Sequence, residues 1–292
     1  MNNEPINIYS LQGLLDVLDK QVYDFVSNCR TDTQGFKLYY RGQANSEWIV
    51  ESSIMRKDYQ YNIYVDVTNM QGYENDHPML KASLSVYEKH MINDVMKSYP
   101  NEFHGLSSFQ VLSKLQHHGL PTRLIDITRN PFVAVFFACS DKWQSKKDGA
   151  IYVFYGKPYQ QDHSFVRKVL DVAIYGNGVY NEEVYKPYGY SSMPSLIIDP
   201  DYEHTRIKAQ QGAFVWENNS IDTDNLVTGI KIIIPTNYKE NIIEQLDLVG
   251  INRSSLFPDL DNMTLFVKEH YIQRLADTIV SEKGRYVKFG IN

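Results

Sequence analysis

The chain is poor in the residues that would make its chemistry easy to read. It has two cysteines in 292 residues, Cys29 and Cys139. Far apart in the chain, they supply neither a disulfide framework nor a paired-cysteine metal knuckle. Cys139 lies in an apolar run and reads as a buried thiol. No apolar run approaches the ~18 residues of a membrane span, and the opening MNNEPINIYS lacks the basic and apolar regions of a secretory signal. The expected setting is a reducing cytoplasm, with no membrane partner. Basic charge is scarce too, with 29 Lys and Arg against 35 Asp and Glu and a formal net charge of −6. That balance excludes a global nucleic-acid footprint and leaves only a local basic patch as a route to nucleic acid. No GxxxxGK phosphate loop and no GxSxG elbow occurs, which argues against P-loop chemistry and serine hydrolysis.

What is abundant is apolar and aromatic: 43% hydrophobic residues and 22 tyrosines. This composition excludes wholesale disorder and, at this length, supports a sizeable core. Ser10 caps an expected helix carrying Leu11, Leu14, Leu15, Leu18, Val22 and Phe25 at helical spacing. Phe36 to Tyr40 alternates like a strand and runs into Arg41-Gly42-Gln43. Residues 68 to 79 read as an exposed loop. Helices are expected over 80 to 98 and 107 to 117, then a turn at Gly119-Leu120-Pro121 and a strand from Thr122 to Ile127. Asn130-Pro131 is a helix start, and the FVAVFFAC that follows is apolar on every side and so buried all round. Strands are expected over Ala150 to Tyr155, Gln211 to Trp216 and Ile230 to Ile234. A helix capped by Asn237 and stopped by Gly250 follows, and a last one runs from Asp261 to about Ser281. Residues 156 to 200, rich in Tyr, Gly, Pro and Asn, match no period and read as an insert or a flap.

Residues 115 to 139 carry the densest polar cluster, with Gln116, His117, His118, Thr122, Arg123, Asp126, Thr128, Arg129 and Asn130 beside a segment that must be buried. Polar groups next to a core need partners, so Arg123 and Asp126 are expected to be paired. The cluster either pins a strand-turn-helix corner or lines a site. His117 and His118, adjacent in an extended chain, would point to opposite faces, and no further ligand follows at diagnostic spacing, so no metal is expected. Arg41 ends a strand, and Gly42 permits close approach of backbone or ligand. The guanidinium there suits a phosphate or carboxylate, or else a buried salt bridge to Asp126 or Glu88. In RIKAQQGAF, residues 206 to 214, two amides beside a glycine can meet an amide- or base-like ligand or close an edge turn.

These motifs resemble a known family. YYRGQ at 39 to 43, Trp48, SSIMR at 52 to 56, LQHHGLPTRLIDITRNPFVAVFFAC, DGAIYVF, RIKAQQGAF and SLFPDLDNM at 255 to 263 are similar to the FRG domain. The resemblance spans residues 36 to 265, flanked by an N-terminal helical segment, 1 to 35, and a C-terminal helix, 266 to 292, packed on the same core. It implies a microbial cytosolic protein with a toxin or phage-defence role. A second resemblance is to the ADP-ribosyltransferase frame: a strand Arg holding NAD, a strand bearing a hydroxyl, then a helix patterned like Ala134-Val-Phe-Phe-Ala138. Where that frame carries a catalytic Glu, this chain has Gln210 and Gln211, and Glu217 follows six residues on.

The expected fold is therefore α+β, with a mixed or split central β-sheet and flanking helices, similar to that frame. The resemblance implies a nucleotide or NAD as ligand, held by Arg41, Gln43, Gln116 and Arg123. It implies His118, Asp126, Thr128 and Gln211 as the catalytic set. Two other readings are a non-catalytic module binding protein through residues 175 to 190, and a nucleotide or RNA hydrolase with His117 or His118 and Asp126 as general base.

Overall fold

The computed structural model describes residues 5–29, 34–56, 78–176, 181–201, 205–218 and 226–258, together with Thr264, Val267 and Tyr271. Eight strands form one sheet: β1 (Ile6–Asn7), β2 (Lys37–Gln43), β3 (Leu124–Thr128), β4 (Gly149–Gly156), β5 (Pro158–Gln160), β6 (Leu196–Asp199), β7 (Gly212–Trp216) and β8 (Leu226–Ile234). Their order is β1-β8-β4-β2-β3-β7-β6-β5. The edge pairs β1–β8 and β5–β6 are parallel and every inner pair is antiparallel, so the sheet is mixed.

The sheet is nearly split in two. β2 and β4 stay in register from Lys37 to Gln43, whereas β2 and β3 share a single pair, Tyr40 with Thr128. Beyond Tyr40 the two strands part.

Local sequence accounts for most of the helices. Ser10 Oγ accepts the Gly13 N–H at 3.1 Å and starts α1 (Leu11–Val17). A π turn then leads into α2 (Tyr23–Asn28). α3 (Pro78–Ser98) precedes the short α4 (Pro100–Phe103). Ser107 and Gln110 form a capping box ahead of α5 (Ser108–His117). Asn130 Oδ1 accepts the Phe132 N–H at 2.9 Å, with Pro131 opening α6 (Pro131–Cys139). As its all-round apolar pattern requires, α6 is enclosed: Val133, Ala134, Val135, Phe136, Ala138 and Cys139 are buried. It lies directly on β2 and β4, because a Cβ at Gly42 would come within 1.8 Å of the Ala134 carbonyl oxygen and one at Gly149 within 2.5 Å of that of Ala138. The close approach that Gly42 permits is thus made by a helix backbone.

Of the stretch 156 to 200, the described residues form regular elements packed on the core. They include β5, α7 (Ser164–Ile174), α8 (Glu182–Tyr185) and β6. α7 buries Phe165, Val166, Val169, Leu170, Ala173 and Ile174. The Phe165 ring stacks against Tyr188 at 4.3 Å and Tyr190 at 5.4 Å. Residues 181 to 190 are therefore folded onto α7, and the tyrosines serve as half-buried packing groups.

The core has two sides. Tyr40, Ile151, Val153, Ile230 and Ile232 pack with α1 and α6, and Leu124, Phe214, Trp216, Leu196 and Ile198 pack with α5 and α7. On the opposite face Tyr39, Ile125, Ile127, Phe154, Ile197 and Val215, from five strands, are buried against one another. The sheet curls round them into a half-barrel.

Some expectations change. Asn237 caps nothing: a 3-10 turn, Thr236–Tyr238, runs straight into α10 (Lys239–Leu248), after the short α9 (Thr205–Ala209). Gly250, at φ +79°, ends α10 as expected, and α11 (Arg253–Leu256) follows. Of the loop expected over 68 to 79, Pro78 and Met79 begin α3, and the rest lies outside the described residues. So does the last expected helix, apart from Thr264, Val267 and Tyr271, which are helical. Among the described residues no helix is long and apolar enough to cross a membrane.

Candidate functional site

Where β2 and β3 part, a cavity of about 220 Å³ opens. Its polar lining is Arg41 from β2, Asp126 from β3, Gln116 from α5, and Glu51, Ser53 and Arg56 from the segment after β2; Leu120, Leu124 and Ile125 add apolar wall. By register, Arg41 shares its face with Tyr39, and Asp126 projects to the opposite face with Leu124 and Thr128. They meet because the sheet is open between them.

Thr122, fully buried, ties the wall together. Its N–H donates to Ser53 Oγ at 3.0 Å, and its carbonyl accepts from the Ser53 hydroxyl at 3.2 Å. Its own hydroxyl donates to Gln116 Oε1 at 2.8 Å. That contact sets the amide, so Gln116 Nε2 donates to Asp126 Oδ2 at 3.0 Å. The Asp126 carboxylate is exposed, and its second oxygen is left for a donor from solvent or ligand.

Arg41 Nη1 donates to the Asp126 carbonyl oxygen at 2.6 Å, filling the gap in the ladder. Its Nε is buried without a hydrogen-bond acceptor. Burial pushes the Arg41 pKa down, the Asp126 carboxylate pulls it back up, the Arg56 guanidinium lowers it and Glu217 raises it. Arg56 is exposed at the cavity wall. Glu217 follows β7 directly, is buried, and accepts the Ser52 N–H at 2.7 Å through Oε2.

Of the residues singled out from the sequence, the cavity gathers Arg41, Gln116 and Asp126. The others stand elsewhere. Arg123 is 2% exposed; its Nε donates to Glu88 Oε2 at 2.6 Å and its N–H to Glu88 Oε1 at 2.7 Å, with the guanidinium 4.7 Å over the Trp216 ring. It holds α3 against β3, and Glu88 is its partner rather than that of Arg41. Thr128 Oγ1 donates to the Gln210 carbonyl at 2.7 Å and accepts the Asn130 N–H at 3.0 Å, so its hydroxyl pins a corner. Gln211, exposed at φ +46°, offers its carbonyl to the Arg129 N–H at 3.0 Å. Gln43 is buried, with Nε2 donating to the Ile49 carbonyl at 3.3 Å and Oε1 unmatched.

His117 and His118 are exposed at the C-terminal end of α5. Their rings sit edge to face at 5.4 Å rather than on opposite sides, because the chain there is helical and not extended. Neither lines the cavity. Among the described residues no group of three or more His, Cys, Asp or Glu side chains is placed to hold a metal ion.

Glu51, Ser53 and Arg56 are the lining residues that sequence reasoning passed over, although the SSIMR motif held two of them. Glu217, weighed against a catalytic Glu, stands behind the wall on the Ser52 N–H.

Residues 37–147 match the FRG domain family. The matched stretch begins within β2 and ends ahead of β4, and it contains every residue lining the cavity. No curated protein and no solved structure matches the chain.

Proposed function

We propose that this chain, whose residues 37–147 match the FRG domain family, binds the phosphate and ribose of a nucleotide in the cavity between β2 and β3. The observation that carries this reading is the Arg41 side chain: a buried Nε donor without an acceptor, beside an open cavity. A buried donor left unmet costs about 1–3 kcal/mol, more when charged. An arriving anionic oxygen recovers that cost and reverses the downward pressure on the Arg41 pKa. Phosphate suits the planar fork of guanidinium donors, and Arg56 offers a second cation on the same wall. The open oxygen of Asp126, oriented through Gln116, accepts from a ribose hydroxyl.

Size narrows the ligand. At about 220 Å³ the cavity falls below the ~300–1,000 Å³ of pockets that engulf a drug-sized molecule. A mononucleotide fits by its phosphate and sugar, and NAD would enter by one half only. A transfer reaction at the sugar, as in ADP-ribosyltransferases, would draw its negative charge from Asp126, since Gln211 carries none. Acting on a cellular nucleotide would suit the toxin or phage-defence role that the family resemblance implies.

Calorimetry with AMP and ribose 5-phosphate tests the reading. Both bind the wild-type protein, and Arg41→Met weakens both by about tenfold or more, the value of a charge-assisted hydrogen bond. Equal binding by wild type and Arg41→Met, or no binding to either, removes it.

A further inference from the structure

The loop after β2 presents two large apolar side chains to water: Trp48 is 44% exposed and Ile49 67%. Its backbone is nevertheless held at successive carbonyls. Lys239 Nζ donates to Ala44 O at 2.7 Å, Lys231 Nζ to Ser46 O at 2.7 Å, Tyr152 Oη to Trp48 O at 3.0 Å and Gln43 Nε2 to Ile49 O at 3.3 Å. Val50 then packs on the concave core, and Glu51 enters the cavity wall. The loop also lies close to the anion-binding group, since Tyr152 stands directly across from Arg41 in the β2–β4 register.

We infer that Trp48, flanked by Ile49, is the stacking shelf for the base of the nucleotide, so that the ligand class is a nucleoside 5′-phosphate held half inside and half outside the cavity. The inference rests on the phosphate-and-ribose reading of the cavity. That cavity has room for phosphate and sugar but not for the base, which must therefore emerge at its edge. Trp48 stands three residues before Glu51 of the cavity wall, and the backbone that carries its indole is already fixed, so little freedom remains to be lost on binding. Every base has a π-face, and stacking on an aromatic side chain discriminates weakly among them. Purines, with the larger face, bind more tightly than pyrimidines.

Trp48→Ala and Trp48→Phe test this by calorimetry with AMP and ribose 5-phosphate. Among the described residues Trp48 is hydrogen-bonded through its backbone alone and its ring is partly exposed, so both variants fold, Trp48→Ala with a somewhat lower thermal midpoint for the packing it loses. Trp48→Ala weakens AMP roughly tenfold, the value of one stacked base. It leaves ribose 5-phosphate unchanged, and Trp48→Phe keeps most of the AMP affinity. Unchanged AMP binding by Trp48→Ala overturns the shelf and leaves the cavity reading standing, as does wild-type protein holding AMP no tighter than ribose 5-phosphate. An equal loss for both ligands also overturns it. Wild-type protein that binds neither ligand overturns the cavity reading and the shelf together.

Discussion

Arg41 and Arg123 stand on neighbouring strands of one sheet, or at their edge, and have opposite fates. Arg123 is enclosed with the Glu88 carboxylate on its Nε and backbone N–H and with the Trp216 ring beneath it. Arg41 has one neutral carbonyl on Nη1, a buried Nε without acceptor, and a cavity alongside. The first arginine has been supplied with its anion by the fold. The second has a place for one. An arginine near a core therefore reads as structural or ligand-binding only once its acceptors are known, and residue type alone does not distinguish the two.

The largest effect is expected from breaking the Arg123–Glu88 pair. Glu88→Ala leaves the Arg123 charge buried and uncompensated and lowers unfolding stability in urea by about 3–5 kcal/mol. In the same titration Arg41→Met, which loses one hydrogen bond to a carbonyl, shifts stability by no more than about 1.5 kcal/mol. Comparable losses in the two variants would erase the distinction. Next comes Thr128→Val, which leaves the Asn130 N–H and the Gln210 carbonyl without their shared hydroxyl and costs about 1–3 kcal/mol. AMP affinity in that variant stays at the wild-type value; a tenfold loss by calorimetry would return the hydroxyl to the pocket. The smallest effect belongs to Arg56→Met. Exposed at the wall, it contributes nothing measurable to stability, and its loss weakens AMP only a few-fold, most visibly at low salt, because solvent screens an exposed cation.

How much of this the sequence discloses depends on the range of each interaction. Caps act over three or four residues, so Ser10 and the Asn130-Pro131 start could be read directly, as could the enclosed α6 from its lack of a polar side. The stripe Phe165, Val166, Val169, Leu170, Ala173 was equally local, yet the Tyr, Gly and Pro around it masked the helix. The candidate site was half legible. Arg41, Gln116 and Asp126 stood out as polar groups beside a core. The pairing of Arg123 with Glu88, 35 residues earlier in the chain, is set by how α3 crosses β3, and no spacing rule encodes that. Glu217 was named, but its contact with the Ser52 N–H spans 165 residues of chain, and no spacing rule encodes that either. Thr128 looked catalytic because a hydroxyl at a strand end serves a corner as readily as a pocket.

The interleaved order of the sheet bears on what counts as a unit here. The family stretch ends at residue 147, yet within it β2 and β3 share one residue pair. The strands that flank them, β4 on one side and β7 on the other, are made later in the chain. A fragment cut at that boundary would carry every cavity residue while leaving the outer edges of β2 and β3 bare, as open templates for self-association. The family-matched stretch is thus an inlay, given its shape by the frame that the rest of the polypeptide closes around it.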